Sequence, residues 1–347
     1  MNDIIRIGMD TSKHVFQLHG VDAAERPVLR KTFRRKEMIE FFSKLPPTQV
    51  AIEACGASHN WGRTLTGFGH SVKLIPPAYI KPYIKRGKND AADAEAICEA
   101  MSRPTMRFVP IKSADNQAAL MLVTMRDRLI RTRTQLCSAI RGHAAEFGLI
   151  AGSGTCRVEP LLDRIAADPE VPHLARDLFA MHAEELALLR ARIKEVNGRL
   201  AEWHRSNARS RRVAQIPGVG TLGATLLALK TPAPEDFQSG RAFAAWIGLT
   251  PRDHSTGGRV KLGSITRAGD ALLRRTLVVG ATALLRHIRN DRSKHASPWI
   301  LEMLKRKPPK LVAVALANKM ARIAWKLMVT DQDYQAPAGA TSLARAA

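Results

Sequence analysis

The chain has 347 residues and carries 54 Lys plus Arg against 31 Asp plus Glu. Its formal charge of +23 exceeds that of an ordinary solubilising surface and favours a polyanionic partner, nucleic acid above all. Its length allows about two or three domains, each with a buried core. The most apolar late segment, residues 311–329, is interrupted by polar and charged residues, which excludes a membrane span: Asn318, Lys319, Arg322 and Lys326. The scattered cysteines argue against structural zinc and for a reducing cytoplasm.

The first third of the chain predicts a mixed α/β domain. Three short β-compatible runs separated by turn-like segments predict a meander, at residues 4–10, 14–19 and 27–34. Segments with helical and extended patterns then alternate, at residues 36–45, 49–55, 59–68, 71–77 and about 89–101. The resulting order, βββαβαβ followed by a helix, is that of nucleases with the ribonuclease H or RuvC fold.

Four acids fall where this fold would bring them together. Asp10 ends the first strand, Glu53 ends the fourth, and Asp90 and Asp93 lie three apart at the start of the last helix. Neighbouring strands are about 4.8 Å apart, and residues spaced i and i+3 share a helix face with Cβ atoms roughly 5–6 Å apart. Converging carboxylates repel one another unless a divalent cation lies between them, and Mg²⁺ or Mn²⁺ prefers such oxygen ligands. We therefore expect a metal site for phosphodiester chemistry here.

Each acid also has a structural interpretation when it is taken alone. Asp10 fits the start of a turn with the residues that follow it, and an edge strand would tolerate Glu53. Asp90 as an N-cap with Asp93 three residues on resembles a capping pair, and acids in the first turn of a helix complement the macrodipole. The four acids in combination with the strand order and the charge favour the metal site.

The middle of the chain predicts two long helices. Apolar residues recur at helical spacing between residues 116 and 147, and between 185 and 203 their spacing alternates between three and four, as in a coiled coil. The segments AGSGT and 160–172 break this pattern. We expect an arm that folds back on itself or pairs with another subunit, and an ordinary bundle core would use the same residues. Several arginines of the first helix suit phosphate contact: Arg126, Arg128, Arg131 and Arg133.

The last third contains the motif IPGVG at the start of a predicted helix. Gly218 and Gly220 would let the backbone approach a phosphate at the helix N-terminus, as in helix-hairpin-helix modules that hold DNA without reading its sequence. A plain tight turn between two helices is the alternative.

A basic loop follows, with Ser255 just before Gly257 and Gly258. A small hydroxyl among cations suits either phosphate contact or nucleophilic attack on phosphorus, and the residue types alone favour contact. The neighbouring His254 does not establish a catalytic pair, because adjacent side chains rarely face each other. The cations of this region are Arg259, Lys261, Arg267 and Arg274.

The combination of these motifs resembles the DEDD-type transposases of the insertion sequence 110 group, from residue 1 to about 330. The motifs occur in the order GMDTSK, AIEACG, GKNDAADAEAI, IPGVG and GLTPRDHSTGGRVKLGSITRAGDALLRR. The resemblance implies an α/β RuvC-like domain at 1–112, an all-α coiled-coil arm for oligomerisation at 113–207, and a mainly α C-terminal transposase domain at 208–330. The low-complexity residues 331–347 predict a disordered tail.

The resemblance also implies site residues and partners. The family tetrad falls on Asp10, Glu53, Asp90 and Asp93, and the nucleophilic serine falls on Ser255, with Thr256 and Ser264 close by. A structured guide, the bridge RNA, would pair with target and donor DNA while a dimer or tetramer exchanges strands in the bacterial nucleoid. A hydrolytic RuvC-like nuclease or junction resolvase and a non-catalytic nucleic-acid binder remain the alternatives. The expected nucleic-acid contacts are Lys13, Arg86, Lys88, Gly218, Gly220, Arg259, Lys261, Arg267 and Arg274.

Overall fold

The computed structural model of the protein describes residues 4–85, 89–290 and 296–336. The chain divides into two compact units, residues 1–117 and 118–347, called unit 1 and unit 2 below. Unit 1 contains β1 (Arg6–Thr11), β2 (Val15–Val21), β3 (Pro27–Arg34), α1 (Arg35–Lys44), β4 (Gln49–Glu53), α2 (Ser58–Gly67), β5 (Ser71–Ile75), α3 (Pro77–Ile80) and α4 (Asp90–Met101).

The five strands of unit 1 form one mixed sheet in the order β3-β2-β1-β4-β5. β1 pairs with β2 antiparallel and with β4 parallel, and β4 pairs with β5 parallel. In the register of β1 and β4, Met9 lies opposite Ile52, so the next residues, Asp10 and Glu53, lie near the carboxyl ends of neighbouring strands. The predicted mixed α/β N-terminal part is confirmed, and its order is compatible with a RuvC-like domain.

Helices cover both faces of the sheet, which explains why the central strands are apolar on both sides. On one face Met38 and Phe42 of α1 and Trp61 of α2 pack into a buried cluster with the strands. On the other face Ile97 of α4 packs against Ala51 of β4 in a second cluster. The sheet is thus a rigid support for the acids at its edge.

Gly8 brings α4 unusually close to the sheet. A Cβ atom at Gly8 would lie 2.1 Å from the carbonyl oxygen of Ala94 and 2.5 Å from the backbone nitrogen of Cys98. The backbone of α4 therefore rests directly on β1 next to Asp10, and only a residue without a side chain permits this contact.

Unit 2 is mainly helical, as predicted. Its helical arm contains α5 (Ala114–Ala145, which begins in the last residues of unit 1), α6 (Val158–Ala167) and α7 (His173–Ser206). The remainder consists of α8 (Ala208–Ala214), α9 (Thr221–Lys230), α10 (Gly240–Ile247), the strands β6 (Pro251–Asp253) and β7 (Leu262–Ile265), α11 (Ala271–Arg289), α12 (Pro298–Arg306) and α13 (Pro309–Thr330). None of the helices in the described ranges has the length and apolar character that crossing a membrane requires.

The helical arm differs from the predicted pair of helices, because a third helix, α6, lies where a break was expected. Pro160 occupies the first turn of α6, where a backbone N–H has no partner within the helix and proline is tolerated. Leu189, Ile193 and Val196 of the α7 seam are buried in one cluster with residues of α5 and α6. The chain therefore uses this seam to build its own helical core.

The rest of unit 2 has one large core, in which the IPGVG motif forms a packed turn. Gly218 has a φ of 87°, and a Cβ atom there would lie 2.2 Å from Cε of Met320 on α13. A Cβ atom at Gly280 in α11 would lie 2.1 Å from the carbonyl oxygen of Gly218. The first glycine of the motif thus permits close packing of the turn against two helices.

Candidate functional site

Three aspartates of unit 1 come together at the carboxyl end of β1. Asp10 belongs to β1, and Asp90 and Asp93 lie in the first turn of α4. Each residue offers a carboxylate oxygen within 4.8 Å of those of the other two. Asp10 and Asp93 are half-buried, and Asp90 is exposed. The sequence predicts four converging acids, and these three of them converge in the structure.

A neighbouring asparagine caps α4, so the two aspartates are not its N-cap. Asn89 is extended, and its Oδ1 accepts a hydrogen bond of 3.0 Å from the backbone N–H of Ala91. The interpretation of Asp90 as the N-cap is therefore wrong. Asp90 and Asp93 retain the favourable position of acids in a first turn, where the helix dipole partly compensates their charges.

Burial and mutual repulsion raise the pKa of Asp10 within this group of aspartates. Burial, together with the negative charges of Asp93 and Asp90, raises the pKa of Asp10 from 3.8 to about 6. Across the described ranges, no Lys or Arg forms an ion pair with any of these three aspartates. Carboxylates that repel one another without a basic partner form a site suited to a cation.

Glu53 lies beside this group and interacts with it electrostatically. It ends β4, the strand next to β1, and it is half-buried. Burial and then the charge of Asp93 raise the pKa of the Glu53 carboxyl, and Glu53 in turn contributes to the raised pKa of Asp10. Its carboxylate is not among the oxygens that lie within 4.8 Å of one another. The structure therefore shows three converging aspartates with the glutamate next to them.

The donor set fits a hard divalent cation. All of the side chains present carboxylate oxygens, which Mg²⁺ and Mn²⁺ accept readily, and the half-buried carboxylates limit the competition from water. A cation held there would remove the repulsion that raises the pKa of Asp10.

Stabilisation by Mg²⁺ should consequently depend on pH. Because the pKa of Asp10 is raised from 3.8 to about 6, the folded protein binds more protons than the unfolded one in this window, and its stability falls as pH rises through it. Mg²⁺ favours the ionised form, so the melting temperature should rise by a few degrees on addition of excess Mg²⁺ at pH 7.5 and by less at pH 5. Differential scanning fluorimetry with and without EDTA measures both shifts.

The control for this measurement is Asp10→Asn, which removes one negative ligand and keeps its shape. Its Mg²⁺-induced shift at pH 7.5 should be much smaller than that of the unaltered protein. Equal shifts in both proteins would contradict a metal site at these acids and would favour a non-catalytic nucleic-acid binder.

Unit 2 presents Ser255 on an exposed hairpin. β6 and β7 are antiparallel, and Ser255 lies in the loop that joins them. The backbone N–H of Ser255 donates to Oδ1 of Asp253 at 2.8 Å, and its Oγ accepts from the backbone N–H of Lys261 at 3.0 Å. The hydroxyl is thereby held at a defined position in an otherwise open loop.

Asp253 is a residue that the sequence interpretation missed. Its pKa is lowered, first by the Ser255 side chain and then by the Ser255 backbone N–H, both of which favour the ionised carboxylate. The signal in the sequence was the spacing Asp-x-Ser, since an aspartate commonly accepts a hydrogen bond from the backbone N–H two residues on. The Ser255 backbone thus donates to a carboxylate that is ionised at neutral pH.

The neighbouring candidates are placed differently. Thr256 pairs with Arg259 through backbone hydrogen bonds at the tip of the hairpin, next to Gly257 and Gly258 with φ of 55° and 77°. Ser264 lies on β7. The ring of His254 packs toward Gly263, where a Cβ atom would lie 3.2 Å from its Nε2. In the described part of the chain, only Ser255 among these three residues donates a hydrogen bond to the Asp253 carboxylate, through its backbone N–H.

Most of the predicted cationic contacts are accessible. Arg259, Lys261 and Arg267 are exposed in or next to the hairpin, and Lys13 is exposed in the turn between β1 and β2. Two other predicted contacts, Arg86 and Lys88, lie outside the described residues.

Arg274 and the glycines of the IPGVG motif have partly structural roles. Arg274 is half-buried, and its Nη1 donates to the carbonyl oxygens of Ile247 at 3.0 Å and Ala268 at 2.6 Å, so it holds the base of the hairpin. Gly218 is packed against α11 and α13, as described above. Gly220 is exposed at the N-cap of α9, with no atom near the position of a Cβ. Of the two glycines, Gly220 is the one that leaves room for a phosphate.

Comparison with known proteins identifies the family. Residues 7–147 match the DEDD transposase family of the IS110 type, and residues 210–296 match the transposase IS116/IS110/IS902 family. The y4pF/y4sB transposase of Sinorhizobium fredii is 64% identical over 98% of this chain and 88% of its own length. The transposase for insertion sequence element IS1111A of Coxiella burnetii is 37% identical over 96% of this chain and 92% of its own.

A third relative extends the similarity over almost its whole length. The transposase for insertion sequence element IS1328 of Yersinia enterocolitica is 37% identical over 96% of this chain and 98% of its own. The two matched segments cover the acid group in unit 1 and the serine hairpin in unit 2. The chain therefore belongs to the DEDD-type IS110 family of insertion-sequence transposases, and it is an enzyme that cleaves and transfers DNA strands.

Proposed function

We propose that this transposase cuts and rejoins DNA with a serine nucleophile and a metal-bound acid centre, guided by a structured RNA of its own element. The observation that carries this proposal is the placement of Ser255: its Oγ accepts from the backbone N–H of Lys261 and its own N–H donates to Asp253, so the hydroxyl is held beside a carboxylate in an open loop. The convergence of Asp10, Asp90 and Asp93 supports the metal-bound acid centre.

In the proposed reaction Oγ of Ser255 bonds to the phosphorus of the scissile phosphodiester. The bond from phosphorus to the leaving DNA oxygen breaks, the leaving oxygen takes up a proton, and the Ser255 proton moves toward the carboxylate of Asp253. The phosphoserine intermediate conserves one phosphoester bond for rejoining. The acids Asp10, Glu53, Asp90 and Asp93, supplied by another subunit, would hold the divalent cations. When bound, these cations would stabilise the charge that develops on the phosphate oxygens.

Ser255→Ala should abolish covalent attachment to DNA. Incubation of the protein with Mg²⁺ and the junction DNA of its element should give a protein–DNA adduct on a denaturing gel, and this adduct should be lost by at least about 10³-fold in the variant, because no oxygen remains to bond phosphorus. Thr256→Ala and Ser264→Ala are the matched controls and should retain the adduct.

If the adduct is lost instead from a control variant, the residue substituted in that variant is the nucleophile. Nicking that survives Ser255→Ala, without any serine-dependent adduct, would identify a hydrolytic RuvC-like nuclease or junction resolvase. In that case water attacks and Ser255 only contacts phosphate. Asp253→Asn keeps the size of the side chain and loses its charge, so the proposal expects slower adduct formation with unchanged DNA binding.

Guide RNA is proposed because the chain is rich in phosphate-binding cations and poor in aromatic side chains, on which unpaired bases stack. The formal charge is +23 and aromatic residues make up 5% of the sequence, a balance that suits contact with phosphates while base pairing selects the target and donor DNA. RNA that copurifies with the protein from its native host should map to the non-coding sequence beside its own gene. Random cellular RNA in the same preparation would contradict a dedicated guide.

A homo-oligomer, dimer or tetramer, is proposed from a second apolar stripe on α7. Leu174, Leu178, Met181 and Leu188 are 50% or more exposed, and their spacings of four, three and seven residues continue a heptad pattern. The seam that contains Leu189 is already buried within the chain. A second copy of the arm would cover this stripe, in agreement with a reaction that needs acids from one subunit and a serine from another.

A further inference from the structure

Unit 2 contains a large cavity that belongs neither to the serine hairpin nor to the acid group. Its volume is about 1060 Å³, and it is lined by α10, α12, α13 and the residues from Gln332 to Ala336 that follow α13. Leu316, Met320 and Leu327 form part of an apolar floor. This volume slightly exceeds the range of small-molecule sites, roughly 300–1,000 Å³, so the cavity is large enough for a nucleotide.

The rim of the cavity is cationic. Four basic side chains line it, namely Arg241, Lys319, Arg322 and Lys326, against a single acid, Asp333. Nε2 of Gln215 donates a hydrogen bond of 2.9 Å to that acid. In the ranges that the structure describes, none of the four cations forms an ion pair. Unpaired charges of one sign around an apolar floor favour an anion with an apolar part.

Aromatic side chains line the same cavity. Trp299 on α12 is 36% exposed, and Nζ of Lys319 lies 4.5 Å from the centre of its ring. Trp325 on α13 is fixed by a hydrogen bond of 2.9 Å from its Nε1 to the carbonyl oxygen of Pro234. The backbone N–H of Tyr334 donates to Oε1 of Gln215 at 2.8 Å, which fixes the third aromatic residue at the edge.

We propose that this cavity binds an unpaired nucleotide of a nucleic-acid strand. The base stacks on Trp299, and the flanking phosphates contact Arg322 and Lys326. Base stacking on aromatic rings and cations along the backbone are the two components of single-strand binding. The inference rests on the proposed function only in that it takes nucleic acid as the partner, since the site needs no contribution from Ser255 or from the acids.

Charge argues against a different occupant from the chain itself. Residues 337–347, which lie outside the described part, contain Arg345 and no Asp or Glu. A segment of that composition does not complement a rim with four cations and one acid. An intact duplex is also unsuitable, because its bases are stacked on one another and present only their edges.

The test is fluorescence anisotropy of a labelled oligothymidylate of about 12 nucleotides with the full chain, at fixed salt. Trp299→Ala should weaken binding by about 5- to 100-fold, because it removes a stacking surface. Trp299→Phe retains an aromatic face and should recover most of the affinity. A duplex of the same length should bind Trp299→Ala and the unaltered protein equally.

A matched pair of lysines on one helix tests the charge. Lys326→Ala should reduce both affinity and its salt dependence, whereas Lys310→Ala removes the same charge from the exposed start of α13, outside the cavity, and should have a smaller effect. The unaltered protein should bind an oligonucleotide of abasic sites more weakly than oligothymidylate. Trp299→Ala should bind the two strands with the same affinity.

Two results would overturn the proposal. One is that Trp299→Ala binds the abasic strand more weakly than oligothymidylate by the same factor as the unaltered protein does. The other is equal weakening by Lys310→Ala and Lys326→Ala, which would indicate only a diffuse positive surface. Neither measurement involves strand cleavage, so failure of the serine mechanism would leave this result unaffected, and the reverse also holds.

Discussion

Replacing Gly8 with alanine is expected to destabilise unit 1 by about 3 kcal/mol and to abolish its response to Mg²⁺. The new Cβ would lie 2.1 Å from the carbonyl oxygen of Ala94 and 2.5 Å from the nitrogen of Cys98, which are backbone atoms of α4 and cannot rotate away. The helix must therefore move off β1. Because α4 carries Asp90 and Asp93, this shift would also separate them from Asp10 on the strand below.

Chemical denaturation and the Mg²⁺-induced melting shift measure the two effects of Gly8→Ala. Gly67→Ala is the matched control in the same unit, since no atom lies within 4 Å of a Cβ at the last residue of α2. We expect it to change stability by less than about 1 kcal/mol and to leave the Mg²⁺ response intact. A Gly8→Ala protein that melts and binds Mg²⁺ like the control would show that α4 does not position the acids in the way described.

Gly280→Ala is expected to destabilise unit 2 by a similar amount, about 3 kcal/mol. Alanine normally favours a helix interior over glycine by about 1 kcal/mol, so propensity alone predicts the opposite sign. Here the added Cβ would lie 2.1 Å from the carbonyl oxygen of Gly218. That turn has little room to retreat, because Gly218 also touches Met320 of α13.

Gly142→Ala provides the contrast for this second glycine. It lies inside α5 with no atom within 4 Å of its Cβ position, so alanine should stabilise the protein by about 0.5–1 kcal/mol. Opposite signs for the two substitutions in urea unfolding would demonstrate the close contact of α11 with the IPGVG turn. Stabilisation by Gly280→Ala would refute it.

Local patterns in the sequence were sufficient for the outline of unit 1. Alternating apolar residues and turn signals indicated the strands, and the strand order implied that Asp10 and Glu53 would leave adjacent strands at one edge. The i, i+3 spacing of Asp90 and Asp93 likewise placed both carboxylates on one helix face. These inferences succeeded because strand and helix periodicities depend on neighbours in the chain and little on distant contacts.

The helical arm shows where such patterns are ambiguous. The heptad spacing around Leu189 and Ile193 predicted a seam, and both residues are buried in the core of the chain's own arm. The same spacing would suit a second subunit, and periodicity does not name the partner of an apolar face. Pro160 was expected to interrupt the arm, although the first turn of a helix accommodates proline.

The sequence by itself indicated the mixed α/β first part and the helical remainder, the four candidate acids and the basic loop that bears Ser255, since each depends on residue type and short-range spacing. Only the tertiary structure decided that Gly8 and Gly280 are contact points between backbones, and that Arg274 holds the hairpin. It also brought Trp299 and Lys326 to one cavity. The physical reason is that these roles arise from atoms far apart along the chain, whose distances are set by packing of whole elements.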